Sequence, residues 1–291
     1  MARFLRVKRE NKMLNEKTAK LGVLLTALIW SSGGLAVKIT NCPADALTGW
    51  RCFFCLVLFV LFYRKEKLLT FSKAQWAGAI AYFLMAYFYI AATQLTTAAN
   101  AILLQYTAPV YVALLSIWLL KEKVKKKDWF VIAAVFLGMI LFFVDKAGIG
   151  NMLGNVLGVL SGISFATFIV CTRMQKNAHP AGSIFLGNVI ALVVCLPSMI
   201  VTPLTEDAIF GGMYLGLIYG GLSYIIYSAC IRYVSALSAI LIATIEPVLN
   251  PVWVFFLVGE TPSSYAILGG GIVVVSILIG NLTGLCKKER K

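Results

Sequence analysis

The chain has 291 residues, 60% of them hydrophobic, a mean hydropathy of +0.87 and a net charge of +14. A soluble domain is about 45–50% apolar, so this composition excludes one and predicts an all-α integral membrane protein with several spans. The positive charge does not point to nucleic acid. The basic residues fall between apolar runs, the pattern that sets orientation in a bilayer.

In chain order, residues 1–19 form a basic tail too short to fold alone. The apolar run Leu21 to Val37 reads as a retained first helix, because it is long for a cleaved signal and further spans follow. Hydropathy predicts ten spans, at 20–37, 44–62, 75–93, 98–120, 129–144, 153–172, 182–201, 209–229, 236–258 and 264–284. Residues 285–291 make a second basic tail. With both termini cytoplasmic, 23 of the 26 Lys and Arg lie in cytoplasmic segments, leaving Lys38, Arg51 and Lys146. That asymmetry predicts an even number of spans. Cys52, Cys55, Cys171, Cys195 and Cys230 lie in or at the ends of apolar runs, where a thiol packs as a small hydrophobe. Cys52 and Cys55 have no second Cys pair or His beside them, so a metal site is not expected.

The chain repeats itself. Shifted by 138 residues, 89–122 lies over 227–260 with ten of 34 positions identical, among them Pro109 over Pro247 and Glu122 over Glu260. The halves are then 20–147 and 148–284, with five spans each. An odd number of spans per repeat forces the second to insert upside down, an arrangement found in many secondary transporters. Glu122 then lies on the cytoplasmic side and Glu260 on the outer side.

Within the ninth span, Ala236 to Glu260, Glu246 precedes Pro247. A carboxylate at the centre of a membrane helix costs roughly 2.5–3.5 kcal/mol. Pro247 has no N–H and leaves a carbonyl one turn back, near Ala243, without its helical donor. Such groups are tolerated where protein or a watery cavity satisfies them. Pro109 marks the fourth span in the same way, and paired breaks of this kind point to a substrate site. Position 108 is alanine where the second half has Glu246, so the two halves differ at the charge.

Glu246, Asn250 and Trp253 share one helix face. Glu246 reads as a proton-coupling carboxylate or a counter-charge for a substrate amine, since burial disfavours the ionised form. A structural, protonated carboxyl is the alternative. Asn250 binds a substrate polar group or ties the span to a neighbour. Tyr82, Met85 and Tyr89 share a face of span 3, and Tyr219, Ser223 and Tyr227 share one of span 8. These tyrosines line an aromatic cavity suited to amphipathic or cationic ligands or serve as packing. Trp30 and Ser31, beside Ser32-Gly33-Gly34, are further cavity candidates, as are Gln105 and Tyr106, one turn before Pro109. Arg51 is expected to snorkel outward or to pair with an acid such as Asp45, with direct contact to substrate as the lesser alternative. His179, before Pro180, is expected to be a solvated loop residue.

Several runs carry a family resemblance: Ile245-Glu246-Pro247-Val248 with Gly259-Glu260, Ala98-Ala99-Asn100-Ala101 leading to Thr107-Ala108-Pro109, Leu120-Lys121-Glu122, Ile29-Trp30-Ser31-Ser32 and Arg51-Cys52-Phe53. Together they resemble the EamA-type transporters of the drug/metabolite transporter superfamily, over nearly the whole chain. The resemblance implies ten helices in two inverted units around a cavity lined mainly by spans 1, 3, 4, 6, 8 and 9. It implies traffic in amino acids, other small metabolites, sugars, amines or drugs, often outward. Two departures stand out: Ser164-Phe165-Ala166 where many members carry a tryptophan in span 6, and Asn188 opposite Arg51 in span 7.

The expected function is secondary transport by alternating access, with export of amino acids or similar amphipathic compounds as the best single substrate reading and proton coupling through Glu246. Import or exchange of amines, sugars or drugs is the alternative. The chain has no G-x-x-x-x-G-K-[ST], H-E-x-x-H or G-x-S-x-G and no pair of intramembrane aspartates, so neither nucleotide hydrolysis nor membrane-enzyme chemistry is expected. A channel usually needs a filter repeated across subunits. No cofactor is expected, and the partners are a small-molecule substrate and the bilayer. One chain can close a cavity between its halves, and a homodimer is compatible with that. The compact, tail-poor architecture suggests a bacterial plasma membrane.

Overall fold

The computed structural model describes residues 15–96, 98–143, 151–249 and 264–285, and these are helical apart from short connections. The first span is helix α1 (Glu16–Trp30) followed, after Ser31 and Ser32, by α2 (Gly33–Ile39). Next come α3 (Ala44–Tyr63) and α4 (Lys73–Leu95). The fourth span is split into α5 (Ala98–Gln105) and α6 (Ala108–Leu115), which runs on as a π-helical turn over Ser116–Leu120. Helices α7 (Lys126–Phe143), α8 (Met152–Met174) and α9 (Ala181–Val201) follow. Then α10 (Glu206–Met213) passes through a π-helical stretch, Tyr214–Leu222, into α11 (Ser223–Cys230). Last come α12 (Ala236–Ala243) and α13 (Ser264–Leu285).

Local chemistry sets the helix starts. Asn15 and Thr18 form a reciprocal capping box, and Ser72, Asn151, Thr205 and Ser235 each accept from a backbone N–H of the first turn. The first helix therefore begins at Glu16, inside the segment expected to be tail. Its break at Ser31 and Ser32 is a second difference from the single span expected. Both serine hydroxyls donate to carbonyls three residues back, Leu28 and Ile29, at 2.7 Å.

Among the described residues, seven helices are long and apolar enough to cross a membrane. Their outward faces carry exposed large apolar side chains, among them Leu21, Val60, Ile80 and Ile200, the arrangement expected where lipid replaces water. Inside the bundle α4 lies along α8, α3 along α9, α1 along α11 and α7 along α13. The basic connections gather at one end. Arg173 at the end of α8 binds Glu122 at 3.1 Å and donates to the carbonyls of Ile231 and Arg232, and Arg232 donates to the carbonyl of Ala178. Alternate connections meeting at one end is the geometry of consecutive antiparallel helices. His179 lies in this cluster. It is half-buried rather than solvated, with Nδ1 3.5 Å from a Glu66 oxygen. Burial and the nearby Arg232 charge lower its pKa.

Candidate functional site

The centre of the bundle is aromatic. Trp30 at the end of α1 packs against Tyr224 at 5.0 Å, Tyr227 at 5.8 Å and Phe165 at 6.0 Å between ring centroids. Its indole N–H donates to Ser223 Oγ at 2.8 Å, and Ser223 donates back to the Tyr219 carbonyl. Ser223 thus orients Trp30 rather than facing the centre. Tyr227 is buried behind it, 3.1 Å from Thr172 Oγ1, and Ser31 is buried on its own helix.

Trp30, Tyr89, Gln105, Tyr219 and Glu246 line one cleft, together with Phe165, Tyr224 and Arg51. Tyr219 reaches it from the π-helical stretch, where the wider turn shifts the phase of the side chains. Gly33 lets it in: a Cβ at position 33 would lie 2.2 Å from the Tyr219 ring. Gln105 is held by Ser161 at 2.8 Å, which in turn donates to the Met85 carbonyl at 2.9 Å. The free space between these walls is about 20 Å³, room for one water. The expected cavity is therefore present in a closed-down form.

Glu246 is 3% exposed. The Tyr106 hydroxyl donates to its Oε2 at 2.6 Å and also stands 2.8 Å from the carbonyl oxygen of Ala243. Ala243 is four residues before Pro247, so this is the carbonyl that the proline leaves without a helical donor. A phenol has one hydrogen and a carbonyl has none. With the carboxyl ionised, Tyr106 serves one acceptor and leaves the other. With the carboxyl protonated, its O–H can donate to Tyr106 while Tyr106 donates to Ala243, and all three groups are satisfied. The two proline-marked spans thus meet at a relay whose bonding depends on one proton.

Arg51 takes neither of the two structural roles expected of it. It neither snorkels nor pairs with Asp45. It is 2% exposed, and one terminal nitrogen donates to the Tyr82 hydroxyl at 3.0 Å. The guanidinium carbon stands 5.6 Å from the Tyr82 ring centre and 5.8 Å from that of Tyr219. Its Nε and its other terminal nitrogen have no hydrogen-bond partner. Tyr82 thus serves Arg51. Asn188, expected opposite Arg51, is buried on α9 and donates to the Ile184 carbonyl. Pro109 and Pro247 each follow a break in their span. Asn250 and Trp253 lie outside the described residues. Tyr224, Ile90 and Leu215 are among the lining residues that were not anticipated. Tyr224 follows Ser223 on a helix whose other positions were read as its inward face, and the π-helical stretch before it displaces that register.

The chain is 27% identical over 260 residues to an uncharacterized transporter of Archaeoglobus fulgidus, covering 88% of this chain and 94% of the relative. It is 24% identical to the uncharacterized transporter YxxF of Bacillus subtilis, over 95% and 92% of the two chains. It is also 24% identical to the UDP-galactose/UDP-N-acetylglucosamine transporter srf-3 of Caenorhabditis elegans, over 66% of this chain and 56% of that one. A crystal structure with 18% sequence identity superposes with a TM-score of 0.78 over 91% of this chain and 99% of the other, which shows a shared fold. The model of the EamA-like transporter family matches twice, at residues 17–144 and 152–282. This integral membrane protein belongs to the EamA-like transporter family.

Proposed function

We propose that the protein is a secondary transporter of amino acids or similar small amphipathic compounds, working outward by alternating access with Glu246 as its proton-coupling group. In this reading ten helices form two inverted five-helix units, with both termini cytoplasmic in a bacterial plasma membrane. One chain and one small-molecule substrate suffice. The closed cleft is the occluded stage, and rocking of the halves opens it to either side in turn.

The observation that carries the reading is the Tyr106 hydroxyl held between Glu246 and the Ala243 carbonyl. Losing a proton from Glu246 takes a donor away from the backbone at the proline break, which ties protonation to the shape of the ninth span. The ionisable groups in the cleft around Glu246 are Arg51 on α3, Tyr89 on α4, and Tyr219 and Tyr224 on the eighth span, with Tyr106 on the fourth. No second carboxylate among the described residues shares that space. A substrate ammonium exchanging with the proton on Glu246 gives antiport, the coupling an exporter needs. A second reading, exchange of sugar-bearing substrates, rests on the similarity to the srf-3 protein.

The test is counterflow of labelled amino acids, amines and sugars in proteoliposomes at two pH values. The wild type is expected to exchange an amino acid with a rate that changes with pH. Glu246→Gln, which fixes the neutral form, is expected to exchange without that change. A mutant whose pH response matches the wild type makes Glu246 a structural group and ends the coupling reading.

A further inference from the structure

Arg51 has no role in the relay above, and its surroundings do not account for it. A guanidinium stays charged and offers five N–H donors. Here one nitrogen donates to Tyr82, while Nε and the other terminal nitrogen, both fully buried, donate to nothing. Among the described residues no carboxylate pairs with it, and Glu246 in the same cleft is engaged by Tyr106. A buried charge without a counter-charge is expensive. If it served only to pin α3, an apolar side chain between the Tyr82 and Tyr219 rings would do so at less cost. The two free nitrogens belong to a side chain that lines the cleft.

We propose that Arg51 is the anion anchor of the central site and takes the carboxylate of the transported molecule. One unengaged nitrogen together with the second hydrogen of the nitrogen that serves Tyr82 makes a guanidinium fork, which matches a planar carboxylate through two parallel hydrogen bonds. Arg51 is the only cationic side chain lining the cleft among the described residues, so it balances one negative charge, and a diphosphate would leave a second uncompensated. The remaining wall is aromatic and apolar, which sets the substrate class as amphipathic monocarboxylates. In an amino acid the carboxylate sits on Arg51 and the ammonium faces Glu246. The inference rests on the transporter reading and adds to it a specificity-determining residue.

The test is binding to the purified protein in lipid nanodiscs, by calorimetry, with five probes: L-phenylalanine, 3-phenylpropionate, its neutral amide 3-phenylpropanamide, phenethylamine and UDP-galactose. The wild type is expected to hold 3-phenylpropionate about 10- to 100-fold more tightly than the amide, the range for hydrogen bonds to a charged group. Arg51→Gln is expected to abolish that preference while still binding phenethylamine, and Arg51→Lys to restore part of it. Equal binding of the acid and the amide by the wild type, no binding of either acid, or a preference that survives in Arg51→Gln overturns the proposal. The acid-against-amide comparison uses the wild type alone, so it stands even where a variant fails to fold. UDP-galactose binding more tightly than either acid overturns the carboxylate assignment in favour of phosphate. The two readings fail separately. Phenethylamine bound with no acid preference removes Arg51 and leaves the Glu246 coupling intact, whereas an acid preference with counterflow indifferent to pH does the reverse.

Discussion

In the fourth span the helix is interrupted at Tyr106 and Thr107 before Pro109, and in the ninth it is interrupted at Thr244 before Pro247. The two breaks share a local device: Thr107 Oγ1 donates to the Leu104 carbonyl at 2.7 Å and Thr244 Oγ1 to that of Leu241 at 2.6 Å. What meets each break differs. At the fourth span the helix α8 closes in through Gly162, where a Cβ would stand 2.7 Å from the Gln105 carbonyl oxygen, the group that Pro109 leaves without a donor. At the ninth span a tyrosine from the other half serves the corresponding carbonyl and a carboxyl together. One backbone defect is packed shut and the other is held by a titratable pair. Two halves built on one pattern can therefore divide the work, with a rigid break in one and a proton-responsive break in the other.

The harshest way to break this division is to give the first half the charge it lacks. Ala108 is fully buried, and its counterpart is Glu246. Ala108→Glu puts a second carboxyl into a position the surrounding helices close over completely. A buried ion without a partner costs several kcal/mol, so most folded protein is expected to be lost, with the largest fall in melting temperature of these variants in a detergent melt. An unchanged melt would mean that position 108 opens onto water, and the packed-shut description of the fourth span would be wrong.

A milder change sharpens the other side. Tyr106→Phe removes one oxygen and leaves the Ala243 carbonyl and the Glu246 carboxyl without their shared partner. The expected cost is about 1–3 kcal/mol, the range for stranding a buried polar group. In a double-mutant cycle with Glu246→Gln, coupling of about 0.5–3 kcal/mol is expected, since the two side chains are in direct contact. Additive melts would show that the relay carries no energy. Counterflow of Tyr106→Phe is also expected to respond less to pH than the wild type.

The fold was legible because apolar runs, loop charges and the internal repeat are long signals. The predicted span 44–62 became Ala44–Tyr63, and 182–201 became Ala181–Val201. The proline breaks were legible for a local reason, since a proline acts on its own preceding turn. The pairing of Tyr106 with Glu246 was not, because the two lie 140 residues apart and only packing joins them. Arg51 was misplaced for a related reason. An arginine near a helix end reads as a snorkelling residue, and what turns it inward is a pair of rings on two other helices, Tyr82 and Tyr219. His179 was taken as solvated because its loop looks exposed, while Glu66 and Arg232 come to it from distant connections.

The smallest expected effect tests the feature the two breaks share. Thr107→Val and Thr244→Val each keep the branched shape and remove the hydroxyl that reaches back to the turn before the proline. A lost hydrogen bond of this kind is worth about 0.5–1.5 kcal/mol. Because the geometry is the same in both, the two melting temperatures are expected to fall by similar amounts. Transport should separate them. At the fourth-span break the relay is reached through the Tyr106 side chain, while Thr107 Oγ1 serves the Leu104 carbonyl and Gly162 on α8 buttresses the turn, so Thr107→Val is expected to lower stability and to change the pH response of counterflow less than Thr244→Val. Thr244 lies between Ala243 and Glu246, inside the relay, so Thr244→Val is expected to shift that response as well. Equal effects on both readouts would mean that the two halves respond as one, and that the difference between their breaks has no part in coupling.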